Sequence, residues 1–176
     1  MRRHLFCWLI VFFGAVSAFG VALPSCRTNL FSRHGDRIDI TLNSLEHIIN
    51  QRVESSHSHF TDLQLSAEGN DALKISGRKD DTPMSISGPV KVSSDGRVVV
   101  HAAHITKNGT GVKSMMDLFG KDLADYVDLK GTKAISVKDD DLRIDPRRLL
   151  HVAGQVKSVR LTGSGVEMVF ASQPCR

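Results

Sequence analysis

The sequence predicts an α+β domain in which a curved antiparallel β-sheet is wrapped around or packed on one or two amphipathic helices, preceded by an N-terminal signal peptide or signal-anchor helix. Three observations predict it. Apolar and polar residues alternate through most of residues 60–105, with turn signals at intervals of about ten residues. Two other stretches, beginning at Asn43 and at Val112, carry apolar residues at steps of three and four. An apolar run from Leu5 to Leu23 stands at the N-terminus behind Arg2 and Arg3.

Composition separates the run from the rest. The 176 residues are 41% hydrophobic and 6% aromatic with a net charge of +4, but Leu5 to Leu23 holds 16 hydrophobic residues in 19, including five of the ten aromatics and the only Trp. The 153 residues after Leu23 are about 36% hydrophobic and carry +2, which suits one domain. They are too apolar and too evenly charged for disorder, too short for most two-domain enzymes, and not basic enough to suggest nucleic acid.

The basic start, the apolar run and the small residues Val16-Ser17-Ala18 match a cleaved secretory signal. The run is also long enough to span a bilayer, so an uncleaved anchor is the second reading. Leu23-Pro24-Ser25-Cys26 resembles a lipoprotein processing box with an ill-suited proline, which makes lipidation the third. The expected location is across the cytoplasmic membrane, periplasmic or in the cell envelope, tethered by residues 5–23 if the signal is retained. Cys26 and Cys175, at opposite ends of the exported part, are either a disulfide tying the termini or two free thiols.

The expected organisation is residues 1–23 as signal or anchor, 24–37 as a polar linker, 38–171 as the domain and 172–176 as a tail. Ile38, Ile40 and Leu42 alternate as a strand, and Asn43 with Glu46 forms a capping-box pattern for a helix of about three turns carrying Leu45, Ile48, Ile49 and Val53. Period-two runs at Leu63 to Ala67, Leu73/Ile75, Met84 to Val92 and Val98 to Val100 are separated by short turns, so the strands are expected antiparallel. Val112, Met115, Met116, Phe119, Leu123, Tyr126 and Val127 predict a second helix, kinked at Gly120, as cover for the sheet. Ile135/Val137 and Leu142/Ile144 flank an Asp139 to Asp141 turn, Asp145-Pro146 starts a short helix, and Gly163-Ser164-Gly165 turns a last hairpin.

Few motifs carry chemistry. Arg33-His34-Gly35-Asp36-Arg37 matches the RHGxR signature of histidine phosphatases, where His attacks phosphorus and the arginines hold the phosphate. It lies in the expected linker, without the alternating α/β body or a second His beside an acid, so a phosphatase is a distant third reading. His57 and His59 share a face if that stretch is extended, giving two metal ligands with no third in view, or simply a polar linker. His101 and His104 fall on opposite faces of a strand, and Asp139, Asp140, Asp141 and Asp145 lack the glycine and closing Glu of a calcium loop. Asn108-Gly109-Thr110 is a glycosylation sequon, relevant only in a eukaryotic secretory pathway. No nucleophile triad, phosphate loop or metalloprotease motif is present, and neither cofactor nor metal is expected.

SGPVKVSSDGRVVVHAAHITKNGTGV, followed by an amphipathic stretch and then by LRIDPRRLL and VKSVRLTGSGVEMVF, resembles the LmeA-like phospholipid-binding proteins of the bacterial envelope over about residues 38–171. Those proteins are similar in fold to the tubular lipid-binding superfamily, in which a curved antiparallel sheet wraps a long helix and holds lipid in an apolar groove. The resemblance implies a phospholipid or other acyl-chain ligand and a membrane surface or tether as partners, with no nucleic acid and no catalytic residue. The groove candidates are Ile48, Ile49, Met115, Met116, Phe119 and Leu123. The competing expectation is a non-enzymatic structural or interaction module at the membrane. An apolar cavity of several hundred Å3 would mark a carrier and a filled core a module.

Overall fold

The computed structural model describes residues 31–56, 59–127, 129 and 133–171. The signal run, Cys26, Cys175, His57 and the tail lie outside the described residues. Among those residues the chain forms twelve strands and four short or medium helices, and every strand pair is antiparallel. No described helix is long and apolar enough to cross a membrane.

Strands β1 (Phe31–His34) and β2 (Arg37–Thr41) form a hairpin over a Gly35-Asp36 turn. Gly35 takes the left-handed φ of +66° that such a two-residue loop requires. The expected linker is therefore corrected: its last residues are an edge strand. Ser32, Arg33 and His34 are exposed and imprint no apolar period on the sequence, and the strand is placed by its backbone pairing with β2.

Helix α1 (Leu42–Ser55) follows directly. Its cap is Thr41, whose hydroxyl accepts from the Ser44 amide at 3.1 Å, and not the expected Asn43–Glu46 box. Leu42, Leu45, Ile48, Ile49 and Val53 are its buried stripe, each worth about 1.5–3 kcal/mol of transfer free energy.

The larger sheet has the order β3 (Phe60–Glu68), β4 (Ala72–Lys79), β5 (Thr82–Val92), β6 (Val98–His101), with β7 (His104–Lys107) and β8 (Thr110–Gly111) branching from β5. Helices α2 (Lys113–Leu118) and α3 (Leu123–Tyr126) precede β9 (Ile135–Lys138) and β10 (Asp141–Ile144), and β10 pairs with β6 to complete the sheet. After helix α4 (Pro146–Leu150), β11 (Val156–Thr162) and β12 (Gly165–Phe170) return to β2, giving a second sheet ordered β1-β2-β12-β11. The architecture is thus α+β and mostly antiparallel, built on two sheets. A register shift between Val156 and Ser158 reconciles two buried residues of opposite parity, Val156 and Leu161, on the same strand.

The expected helix through Val112 to Val127 is two short helices. The chain leaves α2 through Phe119 into Gly120 at φ +61°, a left-handed stop, and Asp122 then caps α3 in a reciprocal box with Asp125. The helix that packs on the large sheet is instead α1, against β3.

One crossing fixes the bend of β5. Residues 84–87 pair with β7 while residues 90–92 pair with β6, and the strand changes partner at Gly88-Pro89. A Cβ on Gly88 would collide with the His101 carbonyl oxygen and stand 2.9 Å from the Ala103 nitrogen. Gly88→Ala is expected to lower stability by about 2–4 kcal/mol, read from urea unfolding; an unchanged midpoint would show that the crossing is not tight.

Candidate functional site

Among the described residues, an apolar space between helix and sheet forms where the second half of α1 crosses the middle strands. Ile49 and Val53 of α1 face Phe60, Leu63 and Leu65 of β3, and Ile75, Ile86, Leu142 and Ile144 continue the wall, with Val127, Leu129 and Ile135 at its far side. None of these side chains is polar. The enclosed volume is about 50 Å3, well below the ~300–1,000 Å3 of ordinary ligand pockets. It is a narrow apolar seam, short of the several hundred Å3 expected of a carrier.

Polar groups along the edge of the seam hold α1 in place. Asn50 donates from Nδ2 to the Leu63 carbonyl at 2.7 Å, and its Oδ1 accepts from the Leu63 amide at 3.0 Å. Glu46 accepts from the Leu65 amide at 3.0 Å, which is why it takes no part in the cap of its own helix. These contacts lie where the β3–β4 register slips between Thr61 and Gln64, around Asp62 at φ +54°. β3 is also the edge of its sheet, so its outward backbone groups have no strand partner, and the helix side chains satisfy them.

On the opposite side, the Asp139–Asp141 turn is a tie point. Asp140 accepts from Lys113 Nζ at 2.8 Å and from the Leu123 amide at 3.0 Å, while its carbonyl receives the Ala102 amide at 2.8 Å. One residue thereby joins α2, α3 and the end of β6. Burial pushes the Asp140 carboxyl up, but the Lys113 ammonium and the Leu123 amide outweigh it and hold it below 3.8. Asp145 behaves alike: burial raises it, and the Arg147 guanidinium, on both its oxygens at 2.9 and 3.0 Å, brings it below 3.8.

Of the groove candidates, Ile49 lines the seam. Ile48, Met116 and Leu123 are core residues that do not line it, whereas Met115 and Phe119 are 61% and 70% exposed. Within α2 only Met116 of this stretch faces the core, and the chain leaves the helix at Phe119 before Gly120, so the three-and-four spacing does not continue as one face. Phe60, Leu63, Leu65, Ile75 and Ile86 were visible only as strand faces, since their alternation does not say which strands α1 crosses.

The remaining motifs find structural places. Arg33 Nε donates to the Gly35 carbonyl at 3.1 Å, and Arg37 pairs with Asp39 and Glu167, so RHGDR forms the β1–β2 turn with Arg37 engaged by carboxylates. His59 meets Asp80 at 2.7 Å and His101 meets Asp141 at 3.0 Å, while His104 begins a separate strand. Among the described residues no three His, Cys, Asp or Glu side chains converge as a metal site.

Asn50→Ala, which strands both backbone groups of Leu63, is expected to cost about 1–3 kcal/mol and to speed amide exchange at Leu63; unaltered exchange there would show the clamp to be idle. Both aspartates have folded pKa values below their unfolded ones, so their contribution is complete above pH 3.8 and is lost as pH falls through the lowered values. Thermal unfolding between pH 6 and 3 should show that loss, and Asp145→Asn should flatten it. No family model, no curated protein and no solved structure matches this chain.

Proposed function

We propose that this is a non-enzymatic envelope domain that takes a hydrophobic chain, an acyl chain or similar lipid tail, into the seam between α1 and the large sheet, on the outer side of the cytoplasmic membrane. The observation that carries the reading is the lining. Twelve residues from α1, the sheet strands and the segment after α3 meet without one polar side chain, so only apolar matter gains by entering. The resemblance to the LmeA-like proteins supports the same reading.

The volume limits what enters. At about 50 Å3 the seam admits the end of one chain, and a longer segment requires α1 to move away from β3. Each methylene then buried returns roughly 0.8 kcal/mol, which offsets the loosened packing of the helix on the strand. The reading contains no catalytic step.

The narrowness of the seam itself favours a second reading, an interaction module with a packed core and its function on the surface. Met115, Leu118 and Phe119, 61%, 81% and 70% exposed, are the apolar surface such a module would use. Displacement of a fluorescent fatty acid separates the two. The lipid reading expects saturable uptake that Leu63→Trp, which plugs the seam, abolishes while the fold survives, together with lipid seen by native mass spectrometry. No uptake and no co-purified lipid would leave the module.

A further inference from the structure

A second concavity, of about 500 Å3, lies at the C-terminal end of α1 and differs from the seam in every respect. Its walls are Arg52 and Ser55 of α1, Lys133 and Ala134 before β9, and Arg147, Arg148 and His151 of α4 and its cap. Four permanent cations line it, with no carboxylate among the lining residues. The acid that meets these cations is Asp145, buried beneath and committed: Arg147 occupies both its oxygens, and Arg148 Nε stands 3.6 Å away. Asp145 is the carboxylate bonded to the cluster and the Asp95 charge also acts on Arg147, which leaves the four cations in excess.

The cleft is assembled by long-range packing. His151 closes α4 in the left-handed conformation at φ +54°, and this turns its ring to Arg52 on the other helix, Nε2 to Nη2 at 2.8 Å. A guanidinium only donates, so Nε2 accepts and the imidazole holds Arg52 without competing for an anion. Arg52 by itself has a plain explanation, since a cation in the last turn of α1 offsets the helix dipole. Arg147 and Arg148 stand likewise in the last turn of α4 and against Asp145, whereas Lys133, exposed ahead of β9, belongs to no helix, and like charges gathered in one hollow repel unless something neutralises them.

We propose that this cleft binds a phosphate group. Guanidinium forks match phosphate oxygens, and the charge of −1.5 to −2 on a phosphate monoester answers a group of cations better than a single carboxylate does. The hollow is larger than phosphate alone and leaves room for what the group is attached to. Arg52 adjoins Val53 and Ala134 adjoins Ile135, both lining residues of the apolar seam. A lipid headgroup whose chain enters the seam is thus one source, an alternative that rests on the lipid reading; a free phosphate ester is the other and does not.

The test uses the full chain at low ionic strength with two probes: inorganic phosphate followed by calorimetry, and phosphatidylcholine vesicles with or without phosphatidic acid followed by co-sedimentation. Arg148→Gln and Lys133→Gln, both at exposed positions, are each expected to weaken binding about fivefold. Lys121→Gln, on the exposed turn after α2, should leave it unchanged. Thermal unfolding confirms that each variant folds. Saturable phosphate binding sensitive to the two cleft variants, without vesicle binding, supports the site and identifies a soluble ester; binding only to phosphatidic acid vesicles with the same sensitivity supports it and identifies a headgroup. Absence of both, or binding that responds equally to Lys121→Gln, overturns the proposal. Fatty-acid displacement reads the seam alone, so a failed lipid reading is distinguishable from a failed phosphate site.

Discussion

The seating of α1 on β3 is the constraint on which the rest of the domain depends. An apolar stripe on a 14-residue helix buries itself against a sheet, and Asn50 and Glu46 pin the helix to the one stretch of β3 whose own ladder has slipped. Burial supplies most of the free energy and is indifferent to small slides along the helix axis. The paired hydrogen bonds to Leu63 are not, because a shift of one residue would strand a half-buried amide and carbonyl. Register and depth are set by the polar contacts, and affinity by the apolar ones.

Turn chemistry does comparable work elsewhere. The aspartate-rich turn after β9 looks from its composition like a solvated loop, yet Asp140 draws three elements together through one carboxylate and one carbonyl. Lowering of its pKa and that of Asp145 follows from the same fact, that fixed donors surround each charge. The two short helices that replace a single long one belong to this system: Gly120 stops the first, Asp122 starts the second, and Asp140 accepts the amide of Leu123 at the start of the second.

Two concavities of opposite character lie near the last turns of α1. One is apolar and narrow, the other cationic and roomy, and residues adjacent in sequence line both. The exposed Met115, Leu118 and Phe119 lie on α2 and its C-cap, outside the residues that line either concavity.

The antiparallel strands, their turns, the buried stripe of α1, the Asp145 cap with Pro146 and the final hairpin are all written in local pattern, because each depends on residues within one turn or one strand of each other. Pairing of β2 with β12 is not, nor is the strand at Phe31–His34, since an exposed edge strand has no period to display. The same limit explains the groove candidates: spacing placed Met115 and Phe119 on a helical face, but a left-handed glycine ended that helix before the face could form. The basic cleft was the least legible of all, for Arg52 and His151 stand 99 residues apart and meet only when the helices pack. By itself the sequence determined which faces must be buried and where the chain must turn. Only the tertiary structure decided which faces oppose each other, because that choice rests on contacts between distant segments whose free energy no local pattern records.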